Sequence, residues 1–177
     1  DDDVNKALDG SSGAISCAGT FDASGPNNFD AIQHEGAARS ARLSASAKVK
    51  TFVHLSSIGA DENSDSTYSQ TKAKGEQAIL SHMPEAVILR PSVIFGPEDQ
   101  FFNRFAAMTK LNPLLPVVGA DTRFQPVYVG DVAEAAAKAA MGEVAPGIYE
   151  LGGPDVMRFK ELMSMMLDVI ARNRTIV

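Results

Sequence analysis

Tyr68 and Lys72 stand four residues apart in a stretch that reads as a helix, so both side chains share one face, one turn apart. A phenol gives up its proton only near a pKa of about 10, and a neighbouring ammonium favours the phenolate. Such a pair can exchange a proton with a carbonyl or an alcohol while a nicotinamide exchanges the hydride. Ahead of the pair, Phe52-Val53-His54-Leu55 reads as a strand that ends on two hydroxyls, Ser56 and Ser57. The two hydroxyls carry a functional role or do no more than finish the strand and cap the next turn. Tyr and Lys at this spacing arise often by chance, so the pair gains weight only from its surroundings.

Those surroundings alternate strands with helices. Residues 4–8 read as a short helix with Asp1, Asp2 and Asp3 at its start, where the dipole favours negative charge, and Gly10 just past its end. Residues 14–18 read as a buried strand and residues 20–28, rich in Gly, Pro, Ser and Asn, as a loop. An Ala-rich helix follows over 29–47, with Gly36 as its expected close-packing point. The strand at 51–55 leads through a polar loop to the helix over 68–82, which Pro84 closes. A third strand covers 86–90 and stops at Pro91.

Farther on, residues 99–110 space Phe101, Phe102, Phe105 and Met108 close to helical period, a face that packs internally or docks on a partner. Asp131 to Glu134 resembles a capping box, with Asp131 as N-cap of an Ala-rich helix ending near Gly142. A strand at 148–151 and an amphipathic helix at 159–172 complete the series, the latter with Leu162, Met163, Met166, Val169 and Ile170 on or near one face. Strands that are near-continuous apolar runs, alternating with helices, predict an α/β fold with a parallel sheet covered on both faces.

Composition narrows the function classes. The chain has 177 residues, enough for one domain with a sizeable core, and its net charge of −6 offers no broad basic surface to nucleic acid. No run of about 18 apolar residues exists, so no membrane-spanning segment is expected. Cys17, the single cysteine, cannot form an internal disulfide, which fits a reducing compartment; it is expected to be a small buried hydrophobe. His34, His54 and His82 show no metal-ligand spacing, and no metal is expected. The chain opens on three aspartates with no Met, basic leader or apolar leader, so the native protein is expected to begin upstream.

The order of motifs carries a resemblance. A strand ending in Ser56-Ser57, then Tyr68-x-x-x-Lys72, then Arg90-Pro91 and Gly96-Pro97, resembles the extended short-chain dehydrogenase/reductase superfamily. Phe124 to Ala133 and Tyr149 to Gly153 resemble its later segments, so the likeness runs from about Val4 to Arg172. It implies a Rossmann-like parallel sheet with helices on both faces. It also implies a single domain over 1–177, with a core remainder at 1–97 and a mixed core and C-terminal substrate-side region at 98–177. The superfamily's opening βαβ portion, with its Gly-x-x-Gly-x-x-Gly phosphate loop, is expected to be missing, because Gly10, Gly13 and Gly19 have the wrong spacing. By that resemblance Tyr68, Lys72 and Ser57 are the catalytic residues. Ala18, Gly19, Ser56, Tyr68, Lys72, Pro91, Ser92, Val93 and Ile94 border NADP(H) or NAD(H). Arg90 either lies near that ligand or pairs with a carboxylate.

Two positions depart from the superfamily. Ile58 stands where the catalytic serine commonly sits, and Gln33 falls near the place of the helical asparagine. The wording of Ser57 to Asp61 and of Pro97 to Phe105 is similar to an atypical subgroup, the subunit-nine-like group of the complex I alpha subcomplex, with which bacterial NAD-dependent epimerase/dehydratases are grouped. That implies an accessory subunit on the matrix side of the mitochondrial inner membrane. Its partners would be other subunits of the membrane-associated complex, and its dinucleotide would serve structurally. A bacterial cytoplasmic or plastid home is the alternative compartment. The rivals are a soluble NAD(P)-dependent reductase or epimerase using Tyr68 and Lys72, and a dinucleotide-sensing or assembly module. Without a preceding strand, the strand at 14–18 is expected to expose an apolar edge, so either the sequence is incomplete or neighbours in an assembly cover that edge.

Overall fold

A computed structural model describes all residues, Asp1–Val177. Along the chain run α1 (Asp2–Leu8), β1 (Gly13–Ser16), a π-helical segment (Asp30–Gly36) continuing into α2 (Ala37–Ser46), β2 (Thr51–Leu55), α3 (Thr67–His82), β3 (Val87–Pro91), β4 (Ile94–Phe95) and α4 (Phe102–Met108). Then follow β5 (Leu114–Leu115), β6 (Arg123–Phe124), β7 (Val127–Tyr128), α5 (Val129–Ala140), β8 (Gly147–Leu151), β9 (Met157–Arg158), α6 (Phe159–Val169) and β10 (Thr175–Ile176). They divide into two compact units: Asp1–Pro91 with Ala133–Leu151, and Ser92–Val132 with Gly152–Val177.

The first unit is built on a four-stranded sheet in the order β1-β2-β3-β8, with every neighbouring pair parallel. Successive strand residues face opposite sides. Phe52 therefore packs with Ala37, Ala41 and Ile79 of α2 and α3, while Val53, with Val87 and Leu89, packs on Ala136 and Ala139 of α5. This is the expected α/β arrangement, a parallel sheet flanked by helices.

Several local expectations are corrected. Ile15 is 46% exposed, because the α5 cluster covers β2 and β3 but not β1. Cys17 is exposed rather than buried, since β1 ends at Ser16 and the cysteine lies beyond the sheet. The helix expected over 29–47 begins in π geometry, and its close-packing glycine is not Gly36. That role falls to Gly75 of α3, where an added Cβ would overlap the carbonyl of Gln33. Helix α5 starts at Val129, so Asp131 stands in its first turn rather than at the cap. Pro91 does not stop β3 but closes it, paired with Leu151, and its carbonyl accepts from the Ile58 N–H at 3.0 Å.

The second unit has an apolar core in which α6 contributes Phe159, Leu162, Met163, Met166 and Leu167, joined by Leu115 and Val117. Phe101, Phe102, Phe105 and Phe124 pack against that core, so the phenylalanine face serves internal packing. The rings of Phe101 and Phe159 lie 5.6 Å apart, and those of Phe105 and Phe159 lie 5.4 Å apart at a steep angle. Val169, expected on the buried face of α6, is 81% exposed at the helix end. Strands β4 and β7 pair in parallel, Ile94 opposite Val127. No helix of the chain is long and apolar enough to cross a membrane.

Candidate functional site

Helix α3 lays Tyr68 and Lys72 one above the other at its first turns. The Lys72 ammonium lies 6.0 Å from the Tyr68 ring centroid, so the two side chains converge. Lys72 is 4% exposed and donates to the Leu55 carbonyl at 3.3 Å, the last residue of β2 before Ser56 and Ser57. The strand end and the helix face therefore meet. The Tyr68 ring is held by two aromatics from the preceding loop and helix start: Phe21 stacks on it at 5.6 Å and Phe29 meets it edge-on at 5.7 Å. Gly19 brings bare backbone close to the ammonium, for a Cβ there would lie 3.6 Å from Lys72 Nζ.

The strand end contributes unequal serines. Ser57 Oγ is buried with no hydrogen-bond partner. Ser56 is buried, and its hydroxyl donates to the Glu76 carboxylate. Ile58 is 46% exposed and brings no hydroxyl to the site. Gln33 is fully buried; its amide donates to the Thr20 carbonyl at 2.8 Å and its carbonyl accepts from Thr71 at 2.8 Å. It thus ties the π segment to α3 one residue before Lys72. A π-helical turn is rare and often marks a functional site.

Beneath the pair lies a polar layer that sequence reading missed. Glu76, 3% exposed, accepts from Arg90 Nε at 3.0 Å and from Nη2 at 2.7 Å, a two-pronged ion pair. Arg90 therefore takes the carboxylate-pairing role, and the hydrogen bond to Glu76 raises its pKa. A more distant contact of 3.9 Å joins Arg90 to Glu150 on β8. The clue in the sequence was Glu76 standing four residues after Lys72, which reads as an ordinary surface ion pair until burial is known.

His54 is 1% exposed, and neither ring nitrogen has a partner. Burial, reinforced by the Lys72 charge, pushes its pKa down to about 3, so it is neutral near pH 7. Burial also lowers the pKa of Lys72, while the Glu76 carboxylate opposes that shift. No group of three or more His, Cys, Asp or Glu side chains is arranged to hold a metal ion.

Of the remaining sequence-derived site residues, Ala18 and Gly19 lie in the exposed stretch after β1, and Pro91 ends β3 in the first unit. Ser92, Val93 and Ile94 open the second unit, whereas the meeting of Tyr68, Lys72 and the Ser56-Ser57 strand end lies wholly in the first.

Comparison with known proteins fits this geometry. Residues 59–174 match the RmlD substrate binding domain. The chain belongs to the RmlD substrate binding domain family. Within reach of this RmlD-type chain are complex I subunits. NADH dehydrogenase (ubiquinone) 1 alpha subcomplex subunit 9, mitochondrial, of Arabidopsis thaliana is 40% identical over 125 residues, 69% of this chain and 31% of that protein. The Dictyostelium discoideum protein of the same name is 29% identical over 170 residues, 96% of this chain and 47% of that protein. A ceramide reductase of Caulobacter vibrioides is 34% identical over 119 residues, 67% of this chain and 37% of that protein. The chain spans less than half the length of each of these relatives.

Among solved structures, a dTDP-4-dehydrorhamnose reductase from Clostridium acetobutylicum superposes with a TM-score of 0.85 at 19% identity, covering 98% of this chain and 68% of that one. The Bacillus anthracis enzyme of the same name, solved with NADP, gives 0.80 at 18% identity, covering 99% and 69%. At that identity the likeness shows the fold alone, which is the Rossmann-like one expected.

Proposed function

We propose that this chain is part of an accessory subunit of mitochondrial complex I that holds NADP(H) or NAD(H) as a structural ligand. The observation that carries the reading is the likeness to complex I subunit 9 proteins over most of this chain, 40% identical in the Arabidopsis case. Placement on the matrix side, among neighbouring subunits, belongs to the same proposal.

The residues present fit the nicotinamide-ribose end of a dinucleotide. Ser57 offers a buried hydroxyl with no internal partner, and Lys72 offers a buried ammonium that the protein satisfies with one long bond. An unpartnered buried donor has strong reason to meet a ligand. Lys72 would donate to ribose hydroxyls, Tyr68 would hold the ring side, and Ser57 would meet the carboxamide or a substrate oxygen. Ala18 and Gly19 would leave room for the sugar, and Pro91 at the end of β3 is proposed as a further cofactor neighbour. When bound, the nicotinamide supplies or accepts a hydride. Ile58 and Gln33 in place of two usual partners favour holding over turnover.

Purification of the intact complex tests this reading. The subunit should copurify, a dinucleotide should be released on denaturation, and Tyr68→Phe should leave ubiquinone reduction at its wild-type rate. Complexes that carry neither the subunit nor the dinucleotide would remove the proposal.

One observation favours a second reading, a soluble reductase: the Caulobacter relative is named for reducing a ceramide. In that case Tyr68 transfers the proton, Lys72 holds ribose and tyrosine, and Ser57 polarises the carbonyl. Loss of carbonyl reduction in Tyr68→Phe supports it; undiminished turnover excludes it.

A further inference from the structure

Lys72, Glu76 and Arg90 form an alternating series of charges below the site, and only Arg90 at its outer end reaches solvent to any extent. A carboxylate buried to this degree is costly unless donors surround it. Glu76 has three, and they come from different elements: Ser56 at the end of β2 and two nitrogens of Arg90 on β3. Glu76 itself sits on α3, one turn beyond Lys72, as Lys72 sits one turn beyond Tyr68. A single carboxylate thus fastens the helix that carries Tyr68 and Lys72 to the strand end that carries Ser57.

We infer that Glu76 is a positioning residue for the dinucleotide site: it holds the Ser56-Ser57 strand end in register with α3 and sets a carboxylate one helical turn from Lys72. This rests on the proposed dinucleotide reading and deepens it. The titratable groups facing Lys72 are Tyr68 and Glu76 on its own helix and His54 on β2. His54 is neutral near pH 7. Burial lowers the Lys72 pKa, and the Glu76 carboxylate is the group whose charge opposes that shift.

The test is titration of NADPH into the full-length protein, followed by nicotinamide fluorescence from neutral to alkaline pH. Glu76→Gln keeps the shape but removes the charge. It should bind about tenfold more weakly at neutral pH, the scale of one charge-assisted hydrogen bond, and its affinity should collapse at a lower pH than in the wild type. Ser56→Ala leaves the ion pair in place and should fold even if Glu76→Gln does not. It should weaken binding severalfold with the alkaline fall unmoved. Glu134→Gln, an exposed charge on α5, should match the wild type. Wild-type affinity in Glu76→Gln or in Ser56→Ala overturns the inference, as does weaker binding in Glu76→Gln with its alkaline fall unmoved. A wild-type protein that binds no NADPH, or a Lys72→Met variant that binds it fully, sinks the dinucleotide reading and this inference together. Intact binding in Glu76→Gln beside lost binding in Lys72→Met sinks the inference alone.

Discussion

The two units bury different things. Beneath α3 the first unit hides Gln33, His54, Ser56, Thr71, Lys72 and Glu76, each at most 6% exposed. The second unit buries one polar side chain, Thr109, and otherwise packs leucine, methionine, valine and phenylalanine around α6. Apolar burial stabilises with little directional demand, whereas buried polar groups cost stability unless every donor and acceptor is matched. His54 and Ser57 remain unmatched, which costs stability. The contrast sets buried polar side chains in the first unit against apolar packing in the second.

The largest expected effect tests the packing side. Leu162 is fully buried in the α6 core, and Leu162→Ala should cost about 2–5 kcal/mol of stability, read from denaturant unfolding. NADPH affinity of the remaining folded protein should be unchanged. A variant that unfolds normally yet binds no NADPH would break the comparison.

A middle-sized effect is expected at the seam between α3 and the π segment. Gly75→Ala pushes a methyl into the Gln33 carbonyl and should cost about 1–3 kcal/mol. Because α3 also carries Tyr68 and Lys72, NADPH affinity should fall with it. Wild-type affinity in this variant would show that helix placement matters less than the contrast requires.

The smallest effect has the opposite sign. In the fold His54 titrates at about 3 against 6.5 in the ordinary state, so between those values the unfolded chain binds the extra proton. Stability is therefore lost as pH falls from 6.5 towards 3, at most about 1.4 kcal/mol for each pH unit. His54→Leu removes two unmatched nitrogens. It should gain about 1 kcal/mol at neutral pH and flatten that acid limb in chemical denaturation curves. An acid limb as steep as the wild type's would show that other groups govern it.

Much of the frame was legible before any coordinates. The strand at 51–55 and the helix reaching His82 follow from an apolar run and a proline stop, and the parallel sheet follows from their alternation. Tyr68 and Lys72 were legible because helical spacing fixes which side chains share a face. The π turn was not, because one extra residue per turn leaves composition unchanged. Nor was Gly75: the glycine that lets two helices touch is defined by the partner's backbone, and Gly36 looked equally suitable. Ile15 misled because an apolar strand reads the same at the edge of a sheet as at its centre, and Cys17 because the strand stops at Ser16, one residue short of it. Glu76 was invisible for a related reason, since a charged helix residue is taken as solvated until the neighbours that bury it are known.

The sheet of the first unit has a consequence for how the chain is made. Its edge strand β8 pairs Gly147 with Val87, and between β3 and β8 the chain passes first through Ser92–Val132 of the second unit and then through α5. A growing chain must therefore release the whole intervening insert before β3 can gain its second neighbour. Until then β3 has a bare flank and Arg90 lacks Glu150. Such distant pairing slows folding, and a ribosome that stalls short of Gly147 leaves a nascent chain with an open, sticky margin for chaperones to guard.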